Sequence, residues 1–212
     1  MTENKDNIIL SPLEKDDYEQ FIKDNQRSFK YGALEEFGMR DNHLNKEGEI
    51  ISRRTIEKSI KNKNSETYRI ILNGKKVGGV IIKINKEKKF GELEIIYINP
   101  EEHSKGIGFK TWNMIEKMHP EIDVWETFTP YFEKRNIHFY VNKCGFHIVE
   151  FCHNFHRLQG NEDKEENEDN EDYEDNEDNE NNEDNDEDDE DDEDDDGPDE
   201  MFRFQKIIRK KE

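Results

Sequence analysis

The chain has 212 residues, enough for one domain of ordinary size, and 41% of them are charged against only 30% hydrophobic. Its net charge of −22 is unevenly distributed, because residues 161–200 hold 28 Asp and Glu and one Lys. That segment carries −27, which leaves +5 on the rest of the chain. A slightly basic fold suits an anionic small ligand such as a nucleotide phosphate, but an excess of +5 is too small to predict nucleic-acid binding.

The two cysteines, Cys144 and Cys152, are too few for a disulfide framework or a zinc site, and no metal site is expected. Cys144 lies in an apolar stretch and is expected to be a small core residue. The first residues lack the apolar stretch of a signal peptide, and no window approaches 18 apolar residues. The sequence therefore predicts a cytoplasmic protein with no membrane partner.

The N-terminal part of the chain predicts one strand and two helices. The apolar run 8–10 indicates a strand that ends at Ser11-Pro12, and the spacing of aromatic and aliphatic residues over 14–29 fits an amphipathic helix. Residues 31–49 are rich in Gly, Asn and charge, which indicates a loop or a broken helix. Ser52 is placed to cap a second helix over 53–61.

The middle of the chain changes to the alternation typical of strands. Strands are predicted over 67–72, 76–84 and 91–98, with Asn73-Gly74 as a hairpin turn between the first two. Asn99-Pro100 stops the third strand. Three consecutive strands of this kind predict an antiparallel meander.

The C-terminal part alternates helices and strands. We expect a helix over 106–117, a strand over 124–128, a helix over 133–143 closed by Gly145, a strand over 146–155 and a last strand over 201–209. The side chains of the first of these helices that are expected to face inward are Ile107, Thr111, Met114, Ile115 and Met118. The complete order, β-α-α-β-β-β-α-β-α-β-β, predicts one α/β domain with a mixed sheet, residues 1–212.

The acidic segment 161–200 interrupts the last hairpin. Repulsion between like charges and the lack of apolar residues predict that it is disordered. Three interpretations remain open: a solvated expansion without a role of its own, a docking site for a basic partner, and weak binding of divalent ions. The segment lacks the fixed glycine and the twelve-residue spacing of an EF-hand loop.

The most informative stretch runs from Ile96 to Phe109, where a strand leads through a loop with Gly106-x-Gly108 into a helix. The first N–H groups of a helix have no partner within it and point outward with the positive end of the dipole. Glycines there allow a phosphate to approach the amides, so the pattern predicts an anion-binding loop. Tight helix packing is the alternative reason for the glycines, and neither a Walker loop nor a complete G-x-G-x-x-G is present.

Two motifs resemble those of the GNAT acetyltransferases. His103-Ser104-Lys105-Gly106-Ile107-Gly108 is similar to the acetyl-CoA-binding motif A, Arg/Gln-x-x-Gly-x-Gly/Ala, with His103 in place of Arg or Gln. Phe139-Tyr140 followed by Gly145-Phe146 resembles motif B. The resemblance covers the whole chain except 161–200. It implies the GNAT fold and transfer of an acetyl group from acetyl-CoA to a primary amine by direct attack in a ternary complex.

The resemblance also implies which residues bind acetyl-CoA. The pantetheine arm would pair with the strand backbone at Ile96 and Ile98. The pyrophosphate would rest on the backbone amides of the loop residues His103, Ser104, Lys105, Gly106, Ile107, Gly108 and Phe109. The asparagine that contacts the cofactor in the family corresponds to Glu133 here, and Asn136 is either a pantetheine contact or a polar residue of the helix surface.

For catalysis, the resemblance assigns Tyr140 as the acid that protonates the departing thiolate. Four residues separate it from Gly145, where the family has three, so a strict count would select Val141. Glu92, eleven residues before His103, is the candidate base, and Glu94 or a chain of water molecules is the alternative.

Acceptor and partners are less defined. Glu126 and Thr127, with the loop 31–38 that contains Glu35 and Glu36, are candidates for the acceptor site and would favour a cationic acceptor. A rival prediction is a non-catalytic acyl-CoA-binding or interaction protein whose acidic segment docks a basic partner. The last strand is a candidate contact for a homodimer.

Overall fold

The structure is a computed structural model that describes residues 7–36, 44–153 and 200–208. These residues all belong to one compact unit, made of residues 1–157 and 196–212, and the chain's other unit is residues 158–195. The predicted disorder of the acidic segment therefore concerns residues that, apart from Glu200, lie outside the described ranges. None of the described helices is long and apolar enough to cross a membrane.

Within the described ranges, seven strands form a single sheet. They are β1 Ile8–Pro12, β2 Ser65–Leu72, β3 Lys75–Asn85, β4 Phe90–Ile98, β5 Val124–Pro130, β6 His147–Cys152 and β7 Met201–Ile207. Their order is β1-β2-β3-β4-β5-β7-β6, so β7 lies between β5 and β6. Strands β4 and β5 are parallel and all other neighbours are antiparallel, which confirms the meander and the mixed sheet.

Four α-helices flank the sheet in the described residues: α1 Tyr18–Lys30, α2 Arg53–Lys61, α3 Ile107–Met118 and α4 Lys134–His138. Wider π-helical turns continue α1 over Tyr31–Glu36 and α4 over Phe139–Cys144. The side chain of Ser52 accepts a hydrogen bond from the Thr55 amide, 3.0 Å away, and so caps α2 as predicted.

Two tight turns also form where the sequence places them. Asn73 and Gly74 both have positive φ, 51° and 84°, as a two-residue hairpin turn requires. Gly145 closes the π-helical turn with a φ of 78°, which confirms its position just past the helix.

The sheet separates two apolar cores. On the face that carries α3 and α4, the large buried rings are Trp112, Trp125, Tyr140, Phe146 and Phe204. On the face that carries α1 and α2, the core consists of Phe21, Ile22, Ile56, Ile81, Ile95 and Tyr97. Cys144 is buried in the first core, as expected.

The inward face of α3 was predicted incorrectly at one position. Trp112 is fully buried and packs edge-on against Trp125 with ring centroids 5.1 Å apart, whereas Met118 is 43% exposed. The helix ends at Met118, and the next residue, His119, turns under it to pack 6.1 Å from Trp125. The place expected for Met118 is therefore taken by the residue that follows the helix.

Strand β4 changes the face of its side chains within its length. Ile81 lies opposite Ile95 and Ile82 lies opposite Leu93, so Glu94 is an extra residue in the ladder. As a result, Leu93 packs in the α3/α4 core although Ile95, two residues later, packs in the α1/α2 core. The bulge turns Ile96 and Ile98 toward the face where α3 begins.

A buried ionic network fixes α1 on the sheet. The guanidinium of Arg69, only 2% exposed, binds Asp17 at 2.7 Å, Asp24 at 2.9 Å and the hydroxyl of Tyr97 at 2.8 Å. Tyr97 in turn donates to the carbonyl of Phe21. Because these bonds join Asp17 and the N-terminal half of α1 to β2 and β4, they fix that half of the helix on the sheet.

Candidate active site

Strands β4 and β5 separate close to where they begin to pair. Their parallel ladder covers only three pairs, from Phe90 with Val124 to Glu92 with Glu126. At the next position the Thr127 hydroxyl donates to the Leu93 carbonyl at 2.8 Å, so a side chain replaces the backbone donor. Beyond this point the two strands diverge, and the described part of the sheet has a gap beside the C-terminal half of β4.

A cavity of about 540 Å³ lies at the end of β4. Three structures form its wall: the last residues of β4 with the loop that follows, the C-terminal end of α1, and α4 with its π-helical turn. The predicted cofactor contacts that line this cavity are Ile96, Ile98, His103, Ser104, Gly106, Ile107, Gly108, Phe109 and Asn136. These nine predicted cofactor contacts are brought together, and their binding role stays a prediction.

The two glycines of the loop have different functions in the fold. Gly106 precedes α3 with a φ of 69°, and a Cβ built on it would meet nothing within 4 Å. A Cβ on Gly108 would lie 3.4 Å from the ring of Phe139. Gly106 thus supplies the left-handed backbone before α3 and has open space beside it, whereas a methyl group at Gly108 would reach van der Waals contact with Phe139.

Lys105 is the one predicted cofactor contact that does not line the cavity. Its ammonium group binds the carboxylate of Glu102 at 2.5 Å, and the other oxygen of Glu102 binds Lys75 at 2.8 Å. Hydrogen bonds from Lys105 and Lys75 lower the pKa of Glu102 to about 2. Lys105 therefore pairs within its own loop, and Glu102 joins this loop to Lys75 at the start of β3.

His103 is held from two sides. Its Nε2 lies 2.7 Å from the Ile98 carbonyl, which can only accept, so Nε2 carries the proton. Its Nδ1 then accepts from a guanidinium nitrogen of Arg135, 2.6 Å away. Arg135 also lines the cavity, from α4 on the opposite wall. The sequence did not single it out, because a charged residue on a helix is usually solvated and only the contact distinguishes this one.

Tyr140 lies below the cavity and not in its wall. It is 5% exposed, packs against Phe146 and Phe204, and its hydroxyl is hydrogen-bonded to Thr127 where β4 and β5 separate. Burial raises the pKa of Tyr140 above its usual value. The wider turn over Phe139–Cys144 accommodates the extra residue before Gly145, as expected for a helix end. The role of Tyr140 as the acid that protonates the thiolate stays a prediction.

The candidate carboxylates form a cluster on the α2 side of the sheet. Burial raises the pKa of Glu92, with nearby Glu94 and Glu126 adding to the effect and Lys83 opposing it. Glu94 binds Lys83 and accepts from Ser59 of α2 at 3.4 Å. Glu126 accepts from two β7 residues, Gln205 at 2.7 Å and Arg203 at 3.3 Å. None of the three carboxylates lines the cavity.

Two further polar residues line the cavity: Ser28, which the sequence did not single out, and Glu133, which stands at the position of the family's cofactor-contacting asparagine. Glu133 is 7% exposed, and its carboxylate lies 3.8 Å from the position of a Cβ built on Gly32. Among the described residues, the buried hydroxyl of Ser28 on α1 has no hydrogen-bond partner. Gly32 belongs to the predicted acceptor loop, whereas the side chains of Glu35 and Glu36 lie outside the description. The backbone amides that begin α3 after Gly106, called the amide cradle below, lie beside an apolar cleft and the unsatisfied hydroxyl of Ser28. These three features fit an acyl-CoA.

Comparison with known proteins agrees with this geometry. Residues 20–146 match the model of the Acetyltransferase (GNAT) family. The chain is 36% identical over 216 residues to YrkN, an uncharacterized protein of Bacillus subtilis (strain 168), with 100% of this chain and 99% of that protein covered.

Solved structures of acetyltransferases share the fold. The ribosomal-protein-S18-alanine N-acetyltransferase of Escherichia coli matches with a TM-score of 0.58 at 12% identity, over 97% of each chain. The spermidine N-acetyltransferase of Vibrio cholerae, crystallised with CoA and spermine, matches with a TM-score of 0.55 at 14% identity, over 94% of this chain and 95% of that one. The separated strands, the amide cradle and the matched sequence lead to one conclusion: this chain belongs to the GNAT acetyltransferase family.

Proposed function

We propose that this protein is an N-acetyltransferase that moves an acetyl group from acetyl-CoA to a primary amine by direct attack in a ternary complex. The observation that carries the proposal is the gap between β4 and β5, which opens directly beside the cradle of α3 amides. A cofactor with an anionic end and an extended, hydrogen-bonding arm matches this pair of features.

The chain binds and orients the cofactor through backbone groups. The α3 amides after Gly106 face the pyrophosphate, and the backbone at Ile96 and Ile98 faces the pantetheine arm. Asn136, which lies 3.4 Å from the Thr129 hydroxyl, faces the same arm from α4. The thioester supplies the activated acetyl group, and the chain holds it at the gap next to the acceptor.

Proton transfer is assigned to two residues at the base of the gap. Glu92 accepts the proton of the ammonium acceptor, because a carboxyl whose pKa is raised by burial is a better base than an exposed one. Glu94 and a water chain are the alternatives for this step. Tyr140 stays protonated at neutral pH, since burial raises its pKa, and its O–H donates to the departing thiolate. The hydrogen bond with Thr127 places that hydroxyl at the point of separation.

The charge of the site favours a cationic acceptor. Glu133 lies in the cavity wall, and Glu92 lies on the α2 side of the sheet beside Glu94 and Glu126, which are paired with Lys83 and Arg203. A positively charged amine is attracted to such a site before it is deprotonated. The similar V. cholerae protein was crystallised with spermine, a polyamine, which supports testing polyamines first.

The test is acetyl-CoA binding by calorimetry, followed by release of free thiol in the presence of polyamines, neutral-tailed amines and N-terminal peptides. We expect acceptor-dependent thiol release that is fastest with cationic amines. Binding without release for any amine, or no binding, would contradict the proposed activity.

A second candidate is a non-catalytic acyl-CoA-binding protein. The position of Tyr140 favours it, because the hydroxyl lies below the cavity and not in its wall. In this alternative the acidic segment recruits a basic partner, and cofactor binding would occur without turnover in the same assay. The cytoplasmic location and the homodimer stay predictions.

A further inference from the structure

We propose that Arg135 of α4, held by His103, is the cationic ligand of the cofactor's pyrophosphate. This inference rests on the proposed function and assigns a binding residue that lies outside the glycine loop. It concerns the wall of the cavity opposite the amide cradle, where the sequence singled out Asn136, as a pantetheine contact or a polar surface residue, but not Arg135.

The lysine of the loop itself is committed to the fold. Lys105 does not line the cavity and binds Glu102, whose second oxygen binds Lys75. The pKa of Glu102 is lowered to about 2, so this carboxylate keeps its charge at any physiological pH. An anion on the cradle therefore gains little from the charge of Lys105, because a permanent negative charge lies beside it.

Arg135 is oriented toward the loop across the cavity. His103 can accept its hydrogen bond only with Nδ1, since the Nε2 proton is donated to the Ile98 carbonyl. The imidazole is therefore neutral in this arrangement and does not repel the guanidinium. The edge of His103 also packs against Tyr31, with ring centroids 5.6 Å apart, which restricts its rotation. His103 is thus a positioning residue that aims Arg135 at the start of the cradle.

The guanidinium is suited to a pyrophosphate. It has five donors in a planar fork and binds two phosphate oxygens at once, which an ammonium group cannot do. Arg135 and the open amides after Gly106 face the same cavity from opposite walls. A pyrophosphate between them would be bound by amides on one side and by the fork on the other.

The experiment measures the dissociation constants of CoA and of 3′-dephospho-CoA for the full-length protein. In Arg135→Gln we expect affinity to fall about 10- to 100-fold, and by the same factor for both ligands, because both contain the pyrophosphate. Arg135→Lys should lose less, since it keeps the charge but not the fork. The control is Lys134→Gln, which removes the same charge from an exposed neighbour outside the cavity and should bind like the wild type.

A charge swap separates a ligand from a structural residue. The double variant His103→Arg with Arg135→Gln moves the guanidinium to the loop position that holds Arg or Gln in motif A. We expect it to bind CoA within about threefold of the wild type, so that the two substitutions are strongly non-additive. A residue that only held the fold would not be rescued in this way, and thermal melting of each variant reports folding.

Four results would overturn the inference. Equal losses of CoA affinity in Arg135→Gln and Lys134→Gln would indicate a general effect of the protein's charge. A loss confined to CoA would assign Arg135 to the 3′-phosphate instead. If the double variant folds but does not regain CoA affinity, the lost guanidinium is not the cause of the weaker binding. Absence of CoA binding to the wild type would refute the proposed function and this inference with it.

Discussion

We expect Gly106 to be needed for two reasons, its left-handed backbone and the access of a ligand to the α3 amides. The two can be tested separately. Gly106 has a φ of 69° and lines the cavity, whereas Gly74 has a φ of 84° in the β2–β3 turn and does not line it. A Cβ built on either glycine meets no atom within 4 Å. Alanine at each position therefore introduces the same backbone strain without a steric clash, but only one of the two methyl groups enters the cradle.

The expected magnitudes follow from these facts. A left-handed conformation costs an L-residue about 1–2 kcal/mol, and the smaller conformational entropy of the unfolded alanine chain offsets part of this loss. Both variants should thus unfold with about 1 kcal/mol less free energy, a fall of about 2–4 °C in Tm for a chain of this size. Losing one charge-assisted hydrogen bond to a phosphate costs about 1.5 kcal/mol or more. We therefore expect CoA affinity to fall at least about tenfold in Gly106→Ala alone.

The assay combines urea unfolding with calorimetric CoA titration of both variants. Gly106→Asn adds a further control, because asparagine tolerates the left-handed conformation but still fills the cradle. It should unfold nearly like the wild type and bind like Gly106→Ala. Wild-type affinity in Gly106→Ala, or equal loss of affinity in Gly74→Ala, would refute the assignment of the cradle.

Three further predictions concern catalysis and stability. Tyr140→Phe should lower kcat about 10- to 100-fold with little change in KM, because it removes only the donated proton, and an unchanged kcat would exclude the acid role. Glu92→Gln should lower kcat by about 100-fold or more and abolish the acidic limb of the pH–rate profile, whereas a retained limb would assign the base elsewhere. Arg69→Met should cost about 3–5 kcal/mol in urea unfolding, since it removes the buried guanidinium from Asp24 and leaves Asp17 with Lys76 alone, and a loss below about 1 kcal/mol would contradict the network.

The dependence of the Arg69 network's stability on acid pH gives a fifth prediction. Burial alone would raise the pKa of Asp17, but hydrogen bonds from Arg69 and Lys76 outweigh it and lower the pKa. The stabilisation by Asp17 is then complete above its unfolded pKa of about 3.9 and is lost as the pH falls through the lower folded value. The difference in unfolding free energy between wild type and Asp17→Asn should shrink below about pH 4, and a constant difference would contradict this assignment.

Local signals account for the parts of the fold that the sequence predicted well. The Ser52 cap, the Asn73-Gly74 turn and Gly145 depend on a few neighbouring residues, and each takes the predicted conformation. The cradle is readable for the same reason, since a strand, two glycines and a helix start are adjacent in the chain. The bulge at Glu94 and the place of β7 between β5 and β6 were not predicted, because both depend on pairing with distant strands.

The sequence by itself determined the family, the order of the elements and the loop that opens α3, because these follow from short-range patterns and two motifs. Tertiary structure decided which side chains face the cavity. It turned Lys105 toward Glu102, buried Tyr140 beneath the separation of β4 and β5, and brought Arg135 to His103, 32 residues away in the chain. Periodicity specifies the face of an element, but the partner on that face depends on how distant elements pack, and only the folded chain fixes it.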